Sequence, residues 1–194
     1  MTTETRKPGC RTLRVPFGDS HERPVCDDCG HVEYKNPRII ASLLPVTDDG
    51  RILLCRRAIE PRKGFWTIPG GNQEIGETMA DAALREAFEE GGIAAVVTRR
   101  LAEYEVLQMG QIHMHFEGRI TDLHAGIPHF ETLETKLFGL DEIPWDELAF
   151  PSNTLTLQLY GQLVAGEEIA LPVCKVLLPY DAAKKAEAAP GPAV

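Results

Sequence analysis

Two periodicities organise the chain. Apolar residues run almost unbroken through RIIASLLPV (38–46) and RILLCRR (51–57), with the turn signal TDDG between them. Short apolar runs bounded by turn formers predict buried strands, here a hairpin over 38–57. QIHMHFEGRI (111–120) alternates instead. Ile112, Met114 and Phe116 fall on one face and Gln111, His113 and His115 on the other, a half-buried strand with both histidines on the far side of the sheet. AAVVT, LAEYEVL and TKLFGL predict further strands; a helix is expected over about 79–90, a turn or short helix over LDEIPWDEL, and a helix over NTLTLQLYGQLVAGE. EPRKGFWTIPGG carries loop punctuation. Strands interleaved with two or three helices predict an α/β (α+β) sandwich, with helices covering a mixed sheet.

Composition narrows the function classes. A chain of 194 residues can build one domain with a proper core and a small appendage. The formal net charge of −9 argues against nucleic acid as the main partner, because binding its backbone relies on basic patches. Small anionic substrates remain compatible where cations bridge the charge. No apolar run is long enough to span a membrane, and MTTETRKPGC has no hydrophobic signal region, so a cytoplasmic protein is expected. Residues 1–9 are expected to be loose, 10–36 to form a small segment, 37–170 the main domain, and 171–194 an extension whose Ala-, Lys- and Pro-rich end is disordered.

Five cysteines without a signal peptide do not suggest a disulfide framework. Cys55 and Cys174 sit in apolar runs and are expected in strands or core. Cys26 and Cys29, in CDDCG, have the spacing of half a zinc knuckle. Cys10 offers a third thiolate, but Lys7 stands where a matching C-x-x-C needs its first cysteine. His21 or His31 could complete a Cys3His set, or the segment could persist without metal.

The segment ALREAFEEGG holds the main chemical signal. Thr78 can cap the helix, with Asp81 three residues on. At about 100° per residue, Glu86, Glu89 and Glu90 share one face, bordered by Arg85. Leu84 and Phe88 are then expected to face the core, and Gly91 and Gly92 to end the helix. Like charges on one face repel, and acids near a helix C-terminus oppose its dipole. The bland explanation is a solvated acidic face; a bound divalent cation such as Mg²⁺ or Mn²⁺ removes the repulsion instead.

Gly71, five residues, Glu77, seven residues, then Arg85-Glu86-Ala87-Phe88-Glu89-Glu90-Gly91-Gly92-Ile93 is a full match to the Nudix box. The chain therefore resembles the Nudix hydrolases. VPFGDSHERPVCDDCGHVEYKNP resembles the zinc-ribbon leader of one Nudix subgroup, which includes plant-type FAD and ADP-ribose pyrophosphatases. The signature SQPWPFPxS of the NADH pyrophosphatases is absent. The resemblance implies a Nudix α/β/α sandwich preceded by a zinc-ribbon-like segment. It implies divalent-metal ligation by Glu86, Glu89 and Glu90, with the Gly71 carbonyl as a further ligand. Glu77 and Arg85 would form a structural salt bridge, and Gly71 and Gly92 would complete the box. Glu131 or Glu134 would supply the general base. Cys10, Cys26, Cys29 and His21 are the candidate ligands of a structural Zn²⁺ that would help pair two chains in a homodimer. The implied reaction is hydrolysis of FAD to FMN and AMP, or of ADP-ribose to AMP and ribose 5-phosphate. NADH or another dinucleotide is the alternative substrate. A non-catalytic nucleotide sensor fits the intact box less well. Tyr104, Phe17 and Phe65 are the candidates to stack on adenine.

Overall fold

In the computed structural model, which describes residues 9–177, the chain first turns back on itself. β1 (Arg11–Arg14) pairs antiparallel with β2 (Arg23–Cys26), from Arg11↔Cys26 to Arg14↔Arg23. Val25 is the buried residue of this hairpin and bridges to Val32. This unit ends at Pro37, and a second unit begins at Arg38. The expectations for residues 1–8 and 178–194 lie outside the described residues.

The second unit is built on β3 (Arg38–Val46), β4 (Ile52–Arg57), β5 (Trp66–Thr67), β6 (Gly70–Asn72), β7 (Ala94–Val106), β8 (Gln111–Asp122), β9 (Thr132–Phe138) and β10 (Val173–Leu177). They form one mixed sheet in the order β10-β7-β8-β3-β4-β5, with β6 on β3 and β9 on β4. The expected hairpin over 38–57 is only partly formed. β3 and β4 meet at Val46↔Ile52 alone. β3 instead runs parallel to β8 from Arg38↔Gln111 to Val46↔Arg119, while β4 pairs with β5 and β9. The continuous apolar run of β3 explains this: a strand buried on both faces belongs in the interior of a sheet. The two strands expected over 94–107 are one, β7, bent by three register shifts against β8.

Two helices cover the sheet. α1 (Met79–Gly91) has the expected capping box of Thr78 and Asp81. It ends at Gly92, left-handed at φ 67°, whose amide donates to the Phe88 carbonyl. The α1 side of the core joins Ala41, Leu43, Leu53, Cys55, Met114 and Phe116 to Ala82, Ala83 and Ala87. The expectation that Leu84 and Phe88 face the core is half met: Leu84, half-buried, packs against this cluster beside the alanines, whereas Phe88 is 44% exposed. The sheet supplies the bulk, so small helix residues let the backbone approach closely. α2 (Pro151–Val164) covers the other face, its Leu157 packing in one cluster with Leu44, Ile52, Leu54 and Tyr104 of the sheet. Cys55 is buried as expected; Cys174 lies in β10 but is exposed, so it is a strand residue and not a core one.

β8 alternates as its sequence predicts, with Met114 and Phe116 toward α1. On the far side His113 shares a hydrogen bond with the Ser152 hydroxyl of α2 (3.0 Å). His115 is fully buried against the edge of Tyr104 (5.3 Å), and neither ring nitrogen has a hydrogen-bond partner. Burial pushes its pKa down from 6.5 to about 3. The unfolded chain therefore takes up this proton first as pH falls, and the folded state loses stability between those two values. His115→Leu is expected to abolish that contribution and to raise stability at neutral pH by about 1 kcal/mol or more. Denaturant unfolding of both proteins across pH 3–7 checks this; parallel stability curves would contradict it.

Candidate active site

The segment between β4 and α1 delivers the box to the helix. A side chain at Gly71 would overlap the Glu86 carboxylate, so glycine is required for that acid to lie against the strand. The Gly70 amide donates to Glu90 Oε2 at 2.9 Å. Glu77 folds back so that its Oε2 accepts the Glu74 amide (3.0 Å), and Gln73 Nε2 donates to the Glu77 carbonyl (2.6 Å).

Arg85 gathers the acids. Its Nε donates to Glu77 Oε1 (2.6 Å), and Nη2 to Glu77 Oε2 (3.1 Å) and the Asn72 carbonyl (3.0 Å). Nη1 donates to Glu86 Oε1 (2.7 Å) and Glu89 Oε2 (3.2 Å). One guanidinium thus spans the loop and two acids of the helix, a geometry its planar fork allows. The hydrogen bond from Arg85, then the Glu74 amide, holds the Glu77 carboxyl below its usual range.

Arg85 does not neutralise the cluster. Burial raises the Glu86 pKa even against the Arg85 hydrogen bond. Burial pushes Glu90 up to about 7; the Gly70 amide opposes this, while Glu86 and Glu131 add to it. Burial, more than like charge, thus holds these two acids toward their neutral form, and one guanidinium is shared between Glu86 and Glu89. Its donors are hard carboxylate oxygens, the set that Mg²⁺ or Mn²⁺ accepts. Among the described residues no three donors are already gathered at one point, since Arg85 stands between Glu86 and Glu89.

The two base candidates separate. Glu131 acts electrostatically on both Glu86 and Glu90. Its carbonyl accepts the Ala58 amide (2.7 Å), which ties it to the end of β4. The adjoining loop closes on the end of α1, where the Gly126 and His129 amides donate to the Gly92 and Glu89 carbonyls (3.0 and 2.7 Å). Gly126 lies under the Phe88 ring. Glu134 sits on β9 opposite Arg56, 3.8 Å from its guanidinium and half exposed; it does not join the cluster. Arg57 is a member that the sequence did not single out. Its charge opposes the Glu90 shift, its guanidinium carbon lies 5.1 Å from the Phe150 ring centroid, and its Nε donates to the Pro61 carbonyl (2.8 Å). The paired arginines ending a strand were its only signal.

Of the aromatic candidates, Tyr104 is excluded: it is buried in the core with its hydroxyl accepting from Thr156 (3.2 Å). Phe65 is half-buried under Arg62 (5.2 Å), and Phe17 is fully exposed in the first unit.

The zinc expectation fares differently. The Cys29 amide, then the Asp28 amide and the Cys29 side chain, hold the Cys26 thiol below its usual range. Cys10 is exposed and meets this turn through its carbonyl, which accepts the Asp27 amide (3.0 Å). His21 does not join the cysteines; its ring pairs with the Ser20 hydroxyl (2.9 Å) and is 73% exposed. His31 contributes its carbonyl to the Cys26 amide (2.8 Å), and the residue is exposed.

Comparison with known proteins gives this arrangement a family. A NUDIX domain model matches residues 36–155, and a zinc-ribbon model described as Nudix N-terminal matches 9–35. A solved structure of a NUDIX hydrolase from Nitrosomonas europaea is 33% identical with a TM-score of 0.80, covering 90% of this chain and 98% of that one. An ADP-ribose pyrophosphatase from Methanocaldococcus jannaschii is 41% identical over 71 residues, 37% of this chain and 41% of that protein. An NAD-capped RNA hydrolase from Vibrio cholerae is 24% identical over 140 residues, 72% of this chain and 50% of that protein. The chain spans about half the length of the curated relatives it matches, from 41% to 54% for the first of them. With the box residues gathered on α1 and its preceding loop, and the domain match running through the core strands and into α2, the chain belongs to the NUDIX family.

Proposed function

We propose that the chain is a Mg²⁺- or Mn²⁺-dependent hydrolase that cleaves the diphosphate between a nucleoside and a second moiety, with ADP-ribose or FAD as substrate. The observation that carries this is the gathering of three carboxylates on one face of α1 with a single arginine to share: Arg85 Nη1 donates to both Glu86 and Glu89, and only the Gly70 amide meets Glu90. A protein gains nothing in stability from buried carboxylates that repel; a cation arriving with a phosphate relieves them. The ADP-ribose pyrophosphatase among the relatives supports the substrate class.

Glu86, Glu89 and Glu90 would hold the metal, with the Gly71 carbonyl as a further donor. When bound, the metal supplies charge neutralisation at the phosphate oxygens and acidifies a water. Glu77 and Arg85 aim the carboxylates, and Gly70 fixes one oxygen of Glu90. Glu131 accepts the proton of the attacking water at a carboxylate oxygen. Its tie to Ala58 and the neighbouring closure on α1 keep it beside the acids. Arg57 brings positive charge to the same rim, where the leaving phosphate carries negative charge.

A substrate panel with each metal tests the reading: FAD, ADP-ribose, NADH, diadenosine polyphosphates and nucleoside triphosphates. AMP released together with FMN or ribose 5-phosphate is expected; only inorganic pyrophosphate, released from triphosphates, would contradict it. On the best substrate, Glu89→Gln and Glu90→Gln are expected to lose metal-dependent turnover by at least about a hundredfold. Glu131→Gln should lower kcat by roughly 10²–10⁴-fold. Glu134→Gln should stay close to wild type. Equal losses in Glu131→Gln and Glu134→Gln would remove the assignment of the base.

A further inference from the structure

The loop from β8 to β9 holds a phenyl ring out in water beside the acidic helix. Phe130 is 82% exposed, although the chain around it is tied down. The Thr132 amide donates to the His129 carbonyl (3.1 Å) and closes a turn whose two central residues are Phe130 and Glu131. At the start of this turn the His129 amide donates to the Glu89 carbonyl of α1 (2.7 Å). Inside it the Glu131 carbonyl accepts the Ala58 amide, just past β4 (2.7 Å). Gly126 pins the same loop a third time, its amide donating to the Gly92 carbonyl (3.0 Å).

A single exposed apolar side chain is ordinary on a protein surface. This one differs in what holds it. Its two neighbours in sequence are bonded to the helix that carries Glu86, Glu89 and Glu90 and to the end of β4. Consecutive Cα atoms lie about 3.8 Å apart, so the ring and the Glu131 carboxylate are carried by one fixed turn. Phe88, the aromatic side chain of α1, has cover from this loop, since a side chain at Gly126 would strike its ring. Phe130 is left bare.

We infer, on the reading of the acids as a diphosphate hydrolase site, that the Phe130 ring stacks on the adenine of the substrate. In that reading the diphosphate meets Glu86, Glu89 and Glu90, and the nucleoside attached to it extends to the rim. Adenine is the ring that ADP-ribose and FAD share. A phenyl face offers a purine a flat apolar surface, and stacking removes both faces from water. Phe130 touches no reacting atom. It holds the base equally well before and during the reaction, so its contribution falls on KM and not on kcat.

The test uses the full chain with Mg²⁺ and ADP-ribose or FAD, whichever the wild type turns over faster. Phe130→Ala is expected to raise KM roughly five- to a hundredfold, with kcat held within about twofold. Phe130→Trp is expected to keep the low KM, and Phe130→Leu, apolar but not flat, is expected to lose it. The ring is exposed, so its removal costs the fold little. A merely structural role in the turn would displace Glu131 and lower kcat instead. A second readout needs no turnover. AMP with Mg²⁺ is expected to quench the indole of Phe130→Trp beyond the change in the wild type, whose tryptophans are Trp66 and Trp145, and ribose 5-phosphate is not. Turnover by the wild type with an unchanged KM in Phe130→Ala, or no added quenching by AMP, would overturn the inference and leave the reaction standing. Quenching by AMP in a chain that hydrolyses no dinucleotide would overturn the reaction and keep the stacking site.

Discussion

Everything in the site depends on one guanidinium. Arg85 holds Glu77 with two nitrogens and shares a third between Glu86 and Glu89. It stitches the loop before the helix to the helix itself, and it fixes where the acids point. Its charge suffices for Glu77, whose carboxyl lies below its usual range, and falls short for Glu86, whose carboxyl lies above it. The difference is burial: Glu86 has lost solvent that one shared cation does not replace. The clamp therefore organises a charged cluster without discharging it.

The sheet and the caps make that clamp hold. The Gly70–Gly71 strand lies on β3: a side chain at Gly71 would block the Glu86 carboxylate, one at Gly70 would strike Ser42 of β3, and the Gly70 amide holds Glu90. Alanines let α1 sit close to this strand. At the far end of the helix, the carbonyls of Glu89 and Gly92 are taken by the loop that leads to Glu131. The orphan carbonyls of a helix C-terminus thus place a carboxylate from a distant segment at the acidic face.

Local features were legible in the sequence. The spacing of the box, the Thr78–Asp81 cap, the glycine stop and the alternation of β8 depend on neighbours within a few residues, and the structure repeats them. Pairings between distant segments were not. Nothing local says that β3 takes β8 as its parallel neighbour, or that Val173–Leu177 runs beside β7. Phe88 departs from its expected place because the sheet already fills that layer with large side chains and leaves the helix room for alanines and Leu84. Glu131 and Glu134 look alike as sequence; the closure of their loop on α1 and β4 separates them. The knuckle spacing was visible, and the zinc-ribbon match over 9–35 spans it, whereas where the further donors lie is not a local property of the sequence.

In the proposed reading Glu86, Glu89 and Glu90 hold a cation, and burial holds back the charge of Glu86 and Glu90. Calorimetric titration of the protein with Mn²⁺ at pH 7, in buffers of different ionisation enthalpy, measures it most directly. Because Glu90 has a pKa of about 7, metal binding is predicted to release about half a proton per site, and affinity to rise with pH through that value. Glu90→Gln should bind more weakly and release fewer protons. Mn²⁺ binding with no proton release, or equal binding by the wild type and Glu90→Gln, would contradict the account.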